Sequence, residues 1–311
     1  MLTALAGGVG AARMLRGLAA VAGPAAVTAV VNTADDVILH GLHVSPDLDT
    51  VVYTLAGAND EDRGWGLAGE TWTAMGALER YGGQTWFRLG DRDLATHLYR
   101  TQRLAEQATL SEVTAEVAAA WGVGVRVLPM SDERVETRVT VAGPTPDTSE
   151  EIGFQEWFVG RRHGVAVESV RFEGAEEAEP GPGVLAAVAA ADRVVICPSN
   201  PVVSIGPVLA VPGVADAVRA RRPDVVAVSP IVAGAALRGP ADRLMADLGH
   251  EASVVGVARL YAPYAGCLVV DEADAGLAAA VEAEGVRCVV APTVMAGPER
   301  AAALARVVLA G

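Results

Sequence analysis

The N-terminal stretch constrains the fold most strongly, because it combines two apolar runs, a glycine turn and a helical pattern in one order. The apolar run LTALA stops at the glycines of AGGVG, and AARMLRGLAAVAG then places apolar residues at helical spacing. A second apolar run, AAVTAVVN, follows. A strand, a glycine turn, a helix and a second strand are typical of a doubly wound sheet. The sequence therefore predicts an α/β fold with a mostly parallel, Rossmann-like sheet.

The rest of the chain continues this alternation over 311 residues, a length that suits one large α/β core with a smaller addition. The segment PDLDTVVYTLAG predicts a helix that starts near Ser45 and Pro46, with the proline in its first turn. The segment TLSEVTAEVAAAWG predicts another helix, with Thr109 or Ser111 as its cap. Further buried strands are predicted from the apolar runs DRVVICPSN, DVVAVSPIV, ASVVGVARL, GCLVVDEAD and RCVVAPTVM.

The middle of the chain differs from both halves. Residues 141–183 are rich in turn residues, then aromatic, then acidic, and they end in a stretch of glycine, proline and glutamate. We interpret this segment as an insertion into a core formed by residues 1–140 and 184–311.

Charge and cysteine content narrow the class of protein. The formal net charge of −14 argues against general nucleic-acid binding, because phosphate backbones attract basic surfaces. Cys197, Cys267 and Cys288 are odd in number and lack the C-x-x-C spacing, which indicates reduced thiols in the cytoplasm. Without an apolar run of about 18 residues, the sequence predicts no membrane span.

The glycine turn indicates an anion site. Gly7, Gly8 and Gly10 precede a helix whose N-terminal N–H groups can hold a phosphate, and Arg13 can add positive charge. The G-K-[ST] of a P-loop is missing. Arg13 also replaces the third glycine of the dinucleotide fingerprint, and the second strand ends in Asn32 where that fingerprint has an acid. NAD is therefore disfavoured, and a tight turn without a ligand is the alternative.

Four carboxylates follow the second strand within a short distance. Asp35 and Asp36 come just after its end, where open α/β sheets bind ligands, and Asp47 and Asp49 follow about a dozen residues later. Acids repel a phosphate unless a cation lies between them, and Mg²⁺ takes one or two carboxylates together with phosphate oxygens. We expect a magnesium site with Asp35 and Asp36 as ligands. The alternative is ordinary N-capping by acids in loops.

Two other polar segments are candidates. FRLGDRD contains Arg88 and three further charged residues, but a solvated helix start would show the same pattern. CPSNPVVSIGP follows an apolar run, and its Ser199 and Asn200 offer donors and acceptors that suit a base or a ribose. A structured turn is the alternative for this second segment.

Motifs along nearly the whole chain, in the right order, resemble the 2-phospho-L-lactate transferase family, CofD or FbiA, of deazaflavin coenzyme F-420 biosynthesis. The most specific are SPDLDT, FRLGDRD and CPSNPVVSIGP. The resemblance implies transfer of a phosphoenolpyruvyl or 2-phospholactyl group from a guanosine-diphosphate-activated donor to the ribityl hydroxyl of the deazaflavin Fo. GMP would leave, Mg²⁺ would be required, and the product would be coenzyme F-420-0 or its dehydro form. A cytoplasmic homodimer is also implied.

The resemblance also implies roles for individual residues. Asp49 and Arg88 match the positions that contact Fo, and Asp35 and Asp36 resemble carboxylates that bind the metal or activate the hydroxyl. Asp36 and Asp49 are accordingly the candidate catalytic residues. The glycine turn resembles the diphosphate cradle.

The guanosine contacts implied by the resemblance are Ser199 and Asn200, and Asn32 joins the predicted nucleotide site. Two other functions stay open on the sequence. One is a regulatory protein of the same fold that binds a nucleotide sugar, and the other is an NAD-dependent oxidoreductase.

Overall fold

A seven-stranded parallel sheet runs through the protein, in a computed structural model that describes residues 1–143, 145 and 148–311. The strands are, in chain order, β1 Leu2–Ala6, β2 Val27–Val31, β3 Val37–Leu39, β4 Leu42–Val44, β5 Arg126–Pro129, β6 Glu136–Ala142, β7 Ser149–Gly153, β8 Val167–Glu173, β9 Arg193–Ile196, β10 Val225–Val228, β11 Ile231–Val232, β12 Ala235–Ala236, β13 Cys267–Val270 and β14 Arg287–Val290.

Helices connect these strands. In chain order they are α1 Gly8–Ala22, α2 Pro46–Leu55, α3 Thr73–Leu78, α4 Asp93–Ala105, α5 Leu110–Ala120, α6 Val184–Ala190, α7 Gly206–Ala210, α8 Val214–Ala220, α9 Ala241–Asp247, α10 Val254–Tyr261, α11 Ala278–Ala283 and α12 Pro298–Ala310. Shorter helical turns cover Pro24–Ala26, Glu79–Tyr81, Glu156–Gly160, Pro201–Ile205, Arg222–Asp224 and Glu272–Leu277.

The order of the strands places a crevice at the centre of the sheet. The order is β14-β13-β10-β9-β1-β2-β5, and every neighbouring pair is parallel. The chain runs from β1 to one edge through β2 and β5, and then returns to β9 on the other side of β1. Ligands of open α/β sheets bind at the carboxyl ends of the strands where the winding reverses. The predicted α/β fold with a doubly wound, mostly parallel sheet is confirmed.

Helices cover both faces of this sheet, which explains why its strands are apolar throughout. Side chains alternate across a strand, so Ala4 of β1 joins the core under α1, α2, α5 and α12, while Leu5 joins the core under α6, α7, α8, α10 and α11. In β2, Val31 joins the same core as Ala4, and Val30 joins the same core as Leu5.

Local signals in the sequence set the ends of two helices. The helix α2 begins at Pro46 after Ser45, as predicted. Thr109 caps α5, since its side chain accepts from the N–H of Glu112 while the Glu112 side chain accepts from the N–H of Thr109. Among the described residues, no single helix has both the length and the apolar content of a membrane span, although Pro201–Ala210 and Val214–Ala220 meet the criteria together with a bend of 98° between them.

One of the predicted strands is wrong. The run ASVVGVARL forms the helix α10, whose cap Ser253 accepts from the N–H groups of Val255 at 3.1 Å and Gly256 at 3.2 Å. Residues 254–258 are all buried, so the run shows no polar face, and a short apolar run does not distinguish a buried helix from a buried strand. The other four runs contain β9, β10, β13 and β14, as predicted.

A separate three-stranded antiparallel sheet has the order β7-β6-β8. Along the chain, its strands come between β5 and β9 of the parallel sheet. Its apolar side forms a separate core that includes Val139 and Trp157 and extends to Leu244 of α9. This sheet overlaps the predicted insertion at 141–183 but begins at Glu136. The insertion bounds stay a prediction, and Pro144, Pro146 and Asp147 within them lie outside the described residues.

The contact between α1 and α12 gives a test of the fold. A Cβ on Gly17 would lie 2.3 Å from the carbonyl oxygen of Ala301, so we expect Gly17→Ala to destabilise the protein by about 1–3 kcal/mol through overpacking. A Cβ added to Gly76 of α3 would meet nothing within 4 Å, so Gly76→Ala should be neutral or stabilising. Urea unfolding of both variants measures this difference, and equal free energies of unfolding would contradict the packing described here.

Candidate active site

The crevice between β1 and β9 brings the glycine turn and the serine-asparagine loop together. The Ser199 hydroxyl donates to the carbonyl of Gly7 at 2.8 Å, and the N–H of Gly7 lies 3.3 Å from the Ser199 oxygen. A Cβ on Gly10 would lie 2.3 Å from the carbonyl oxygen of Pro198. Gly8 has a φ of +73°, a conformation that favours glycine. Packing and backbone conformation therefore account for these glycines before any ligand is considered.

Asp47 joins the glycine turn to the end of β2. Its Oδ1 accepts from the N–H of Gly8 at 2.9 Å, and its Oδ2 accepts from the side-chain amide of Asn32 at 3.0 Å. The same amide lies 3.1 Å from Oδ2 of Asp35. A carboxylate at the N-terminus of α1 is favoured by the helix dipole and by the unpaired N–H groups there. The sequence analysis counted Asp47 in the acidic cluster but assigned it no role.

Asp35 and Asp36 each keep one oxygen without a partner. The Oδ1 atoms of both residues are inaccessible to solvent and make no hydrogen bond within the described residues. The other oxygen of Asp36 accepts from the hydroxyl of Ser45 at 2.5 Å. Burial raises the pKa of both carboxyls well above the ordinary value, and for Asp35 the charge of Asp47 adds to the rise. Burial also raises the pKa of Asp47 to about 6.

These two carboxylates fit a magnesium ion. Buried carboxylate oxygens without a partner are costly, and a hard divalent cation with oxygen ligands would satisfy them. Asp35 and Asp36 would hold the cation from the end of β2. Their part in metal binding stays a prediction that the geometry supports.

Asp49 belongs to a different, buried cluster between α2 and α4. Its Oδ2 accepts from Nη1 of Arg100 at 3.2 Å, and its Oδ1 accepts from Nη2 of the same guanidinium. The His97 ring lies 3.7 Å from Asp49 on one side and 3.5 Å from Asp93 on the other. The Tyr53 hydroxyl donates to Asp93 at 2.6 Å. Burial is the largest influence on the pKa of Asp93 and acts to raise it, but the neighbouring His97, the hydroxyl of Tyr53 and the charge of Arg100 together bring the pKa below its ordinary value.

This cluster could also be considered as a metal centre, because Asp49, Asp93 and His97 offer ligand atoms within 4.8 Å of one another. The Arg100 guanidinium already supplies a cation to Asp49, so we interpret the cluster as an ion network. Sequence reasoning missed Arg100 and His97. The available signal was their spacing from Asp93, which places three charged or polar residues on one face of α4.

Arg88 lies on the surface near an aromatic group. Its guanidinium is 4.8 Å from the ring of Trp72, on which Arg63 also lies at 5.4 Å. Across the described ranges, no hydrogen bond or ion pair links Arg88 to Asp49. The structure therefore does not bring the two predicted Fo contacts into direct contact, and their joint role stays a prediction.

Arg13 lies with a second arginine beside the glycine turn. It approaches the carbonyl of Glu61 at 3.4 Å, while Arg238 donates to the carbonyls of Arg63 at 2.7 Å and Asp62 at 3.1 Å. Burial lowers the pKa of Arg13, and the charge of Arg238 lowers it further. Two guanidinium groups that repel each other favour an anion between them.

Asn200 has a free donor in the crevice. Its side-chain oxygen accepts from the N–H of Val202 at 2.9 Å and caps the helical turn Pro201–Ile205. Its Nδ2 is buried and has no partner among the described residues. Ser199 is bonded to Gly7, so Asn200 is the better candidate of the two for direct contact with a ligand.

A cleft of about 240 Å³ opens beside the aspartate pair, between the end of β2 and the antiparallel sheet. Charged, amide and aromatic side chains line it, including Asp35, Asp36, Gln84, Trp86, Glu136, Thr137, Arg138, Phe154 and Gln155. Both members of the aspartate pair therefore line this cleft.

Sequence comparisons identify the family of this chain. The 2-phospho-L-lactate transferase CofD family model matches residues 2–294. Proteins named phosphoenolpyruvate transferase are similar over nearly their whole length: one from Kitasatospora aureofaciens is 49% identical over 99% of this chain and 97% of that protein. One from Streptomyces griseus is 48% identical over 98% and 96%, and one from Mycolicibacterium smegmatis is 44% identical over 98% and 96%.

A solved structure supports the fold. The UPF0052 family protein BH3568 from Bacillus halodurans has a TM-score of 0.62 over 99% of this chain and 98% of its own, at 17% identity. This likeness shows the fold alone. The chain belongs to the 2-phospho-L-lactate transferase CofD family. The predictions of this family and of a phosphoenolpyruvate or 2-phospho-L-lactate transferase are confirmed.

The raised pKa values of the acidic cluster predict how pH and Mg²⁺ affect stability. Without a cation the native state holds protons that the unfolded chain releases, so stability falls as pH rises from about 4 through about 6, the pKa of Asp47. The raised pKa values of Asp35 and Asp36 act in the same direction. Mg²⁺ needs the ionised carboxylates, so its stabilisation should be small at pH 5 and about 2.7 kcal/mol at pH 7.5 when its concentration is 100 times Kd.

Thermal unfolding at pH 5 and 7.5, with and without MgCl₂, measures this effect. Asp35→Asn should lose most of the Mg²⁺ response, whereas Asp216→Asn, on the surface, should keep it. An equal response at both pH values would exclude the buried carboxylates as the source of the stabilisation.

Proposed function

We propose that this chain transfers a phosphoenolpyruvyl group, or a 2-phospholactyl group, from a guanosine-diphosphate-activated donor to the ribityl hydroxyl of Fo. GMP leaves, and the product is dehydro coenzyme F-420-0 or F-420-0. The relatives named phosphoenolpyruvate transferase favour the enolpyruvyl donor.

One observation carries the proposal: the Asp35 carboxylate, whose Oδ1 has no partner in the described part of the chain, is connected through its Oδ2 and two side chains to the N-terminus of α1. Asn32 bonds to Asp35 and to Asp47, and Asp47 bonds to Gly8. A cation-binding carboxylate and a phosphate-binding helix end are thus parts of one hydrogen-bonded unit. Phosphoryl transfer depends on such an arrangement, because it requires positioning and charge neutralisation more than covalent chemistry.

The nucleotide half of the donor is assigned to the glycine turn and the loop after β9. The first turn of α1 offers N–H groups to the diphosphate, and Arg13 with Arg238 adds positive charge beside it. The unpartnered Nδ2 of Asn200 is assigned to the guanosine. Because Asp47 occupies the N–H of Gly8, donor binding there requires the Asp47 carboxylate to give up this bond or to share it.

Mg²⁺, held by Asp35 and Asp36, would neutralise charge on the diphosphate. Of the two candidate catalytic carboxylates, Asp36 is better suited to accept the proton of the attacking hydroxyl. Its Oδ1 has no hydrogen-bond partner among the described residues and burial raises its pKa above the ordinary value, whereas both oxygens of Asp49 are held by Arg100. We assign Asp49 and the exposed Arg88 to binding of Fo.

A homodimer in the cytoplasm is part of the same proposal. The three free thiols of Cys197, Cys267 and Cys288 support a reducing compartment. Analytical ultracentrifugation measures the oligomeric state.

Variant kinetics test the assigned roles. Asp36→Asn should lower kcat by about 100-fold or more, because it removes charge where the phosphate group is transferred. Arg88→Met should raise KM for Fo about tenfold and leave kcat nearly unchanged, and Arg80→Met is the matched control for an exposed arginine nearby. Steady-state rates at varied Fo concentration separate the two effects. Full turnover by Asp36→Asn would remove that residue from the mechanism.

The activity itself is tested by incubating the protein with Fo, Mg²⁺ and each guanylated donor in turn. Mass spectrometry should detect GMP and the coupled deazaflavin only when all three components are present. Fluorescence titration with Fo and with NADH separates this function from an oxidoreductase. Binding of NADH without binding of Fo would overturn the proposal.

A further inference from the structure

We infer that the hydroxyl of Thr137 is a positioning group of the cation site, which it would complete as a third buried polar group beside Asp35 and Asp36. Thr137 belongs to β6 of the antiparallel sheet, and the sequence analysis assigned it no role. The inference rests on the cation site of the proposed function.

The backbone fixes Thr137 against the aspartate loop. The N–H of Thr137 donates to the carbonyl of Ala34 at 2.7 Å, directly before Asp35 in the chain. The side-chain amide of Gln155, just after β7, donates to the carbonyl of Asp35 at 3.2 Å. The antiparallel sheet therefore holds the backbone of the loop at two successive carbonyls. Movement of Thr137 relative to Asp35 would require both bonds to break.

The side chain of Thr137 lines the same cleft as Asp35 and Asp36. It is 0% exposed, and its hydroxyl oxygen satisfies no hydrogen-bond geometry with any described residue. Thr137 Oγ1 and the Oδ1 atoms of Asp35 and Asp36 are all buried without a partner among the described residues. Three polar groups without a full set of partners thus belong to residues that line one cleft.

A buried hydroxyl without a partner is unfavourable, and such groups are rare unless a ligand or ordered water completes them. The two neighbouring carboxylates have the same deficit, so one occupant could satisfy all three. A hydrated divalent cation has this property, because it binds the carboxylates directly and brings water that accepts or donates to a hydroxyl. Groups that orient a metal ligand typically change metal affinity by 10- to 100-fold when they are removed.

The test compares Thr137→Val with Thr137→Ser in the full chain. Valine keeps the shape of threonine and removes the hydroxyl, whereas serine keeps the hydroxyl. Mn²⁺ binding is measured by electron paramagnetic resonance, alone and with GDP. We expect Thr137→Val to weaken Mn²⁺ binding about tenfold and Thr137→Ser to bind nearly as wild type does. The Tm of Thr137→Val without metal should equal or exceed that of wild type, because a buried unpartnered hydroxyl is removed.

The outcomes separate this inference from the proposed function. If Thr137→Val binds Mn²⁺ as tightly as wild type in both conditions, or if wild type binds no Mn²⁺ in either, the inference is overturned. A loss of Mn²⁺ affinity that follows a lowered Tm, and that Thr137→Ser shares, would also overturn it by showing a packing role. If the expected affinity loss occurs but wild type releases no GMP from the donors, Thr137 keeps its role and the proposed reaction fails.

Discussion

The bonds made by Asp47 are the interaction on which the rest of the site depends. One carboxylate oxygen holds the N-terminus of α1, and the other holds the Asn32 amide at the end of β2. Asn32 in turn holds Asp35. These bonds connect the two parts of the proposed site, the helix end assigned to the phosphate and the carboxylates assigned to the cation. Asp47 is buried and negatively charged above its pKa of about 6, so its position is stable only because an N–H and an amide face it.

The two acidic clusters differ in how far bonds to other groups compensate the burial of their carboxylates. Around Asp35 and Asp36 it is only partly compensated, and the pKa of each carboxyl rises well above the ordinary value. Around Asp49 a buried guanidinium, Arg100, bonds to both carboxylate oxygens. A buried carboxylate oxygen without a hydrogen-bond partner indicates a place for a ligand, whereas one that is paired with a guanidinium indicates a structural role. This contrast is why the cation is assigned to the first pair and not to the second cluster.

Much of the fold could be predicted, because its signals are local. The glycine turn between two apolar runs predicted the doubly wound sheet, and Thr109 predicted the start of α5. The run containing Val254–Tyr261 was predicted as a strand, because its first five helical residues, 254–258, are all buried and apolar and give no helical period. The family motifs identified the chain as a CofD-type transferase, and the matches to residues 2–294 and to the relatives agree.

The sequence by itself determined which residues are available: a phosphate-type turn, a run of carboxylates and a serine-asparagine loop, each at the end of an apolar strand. Only the tertiary structure decided how they are paired. Asp49 meets Arg100 across a gap of 51 residues, and Gly7 meets Ser199 across 192. Such partners are set by the packing of helices and strands that are distant in the chain. The spacing of residues in the sequence does not predict them. The bond from the N–H of Thr137 to the carbonyl of Ala34 is set in the same way.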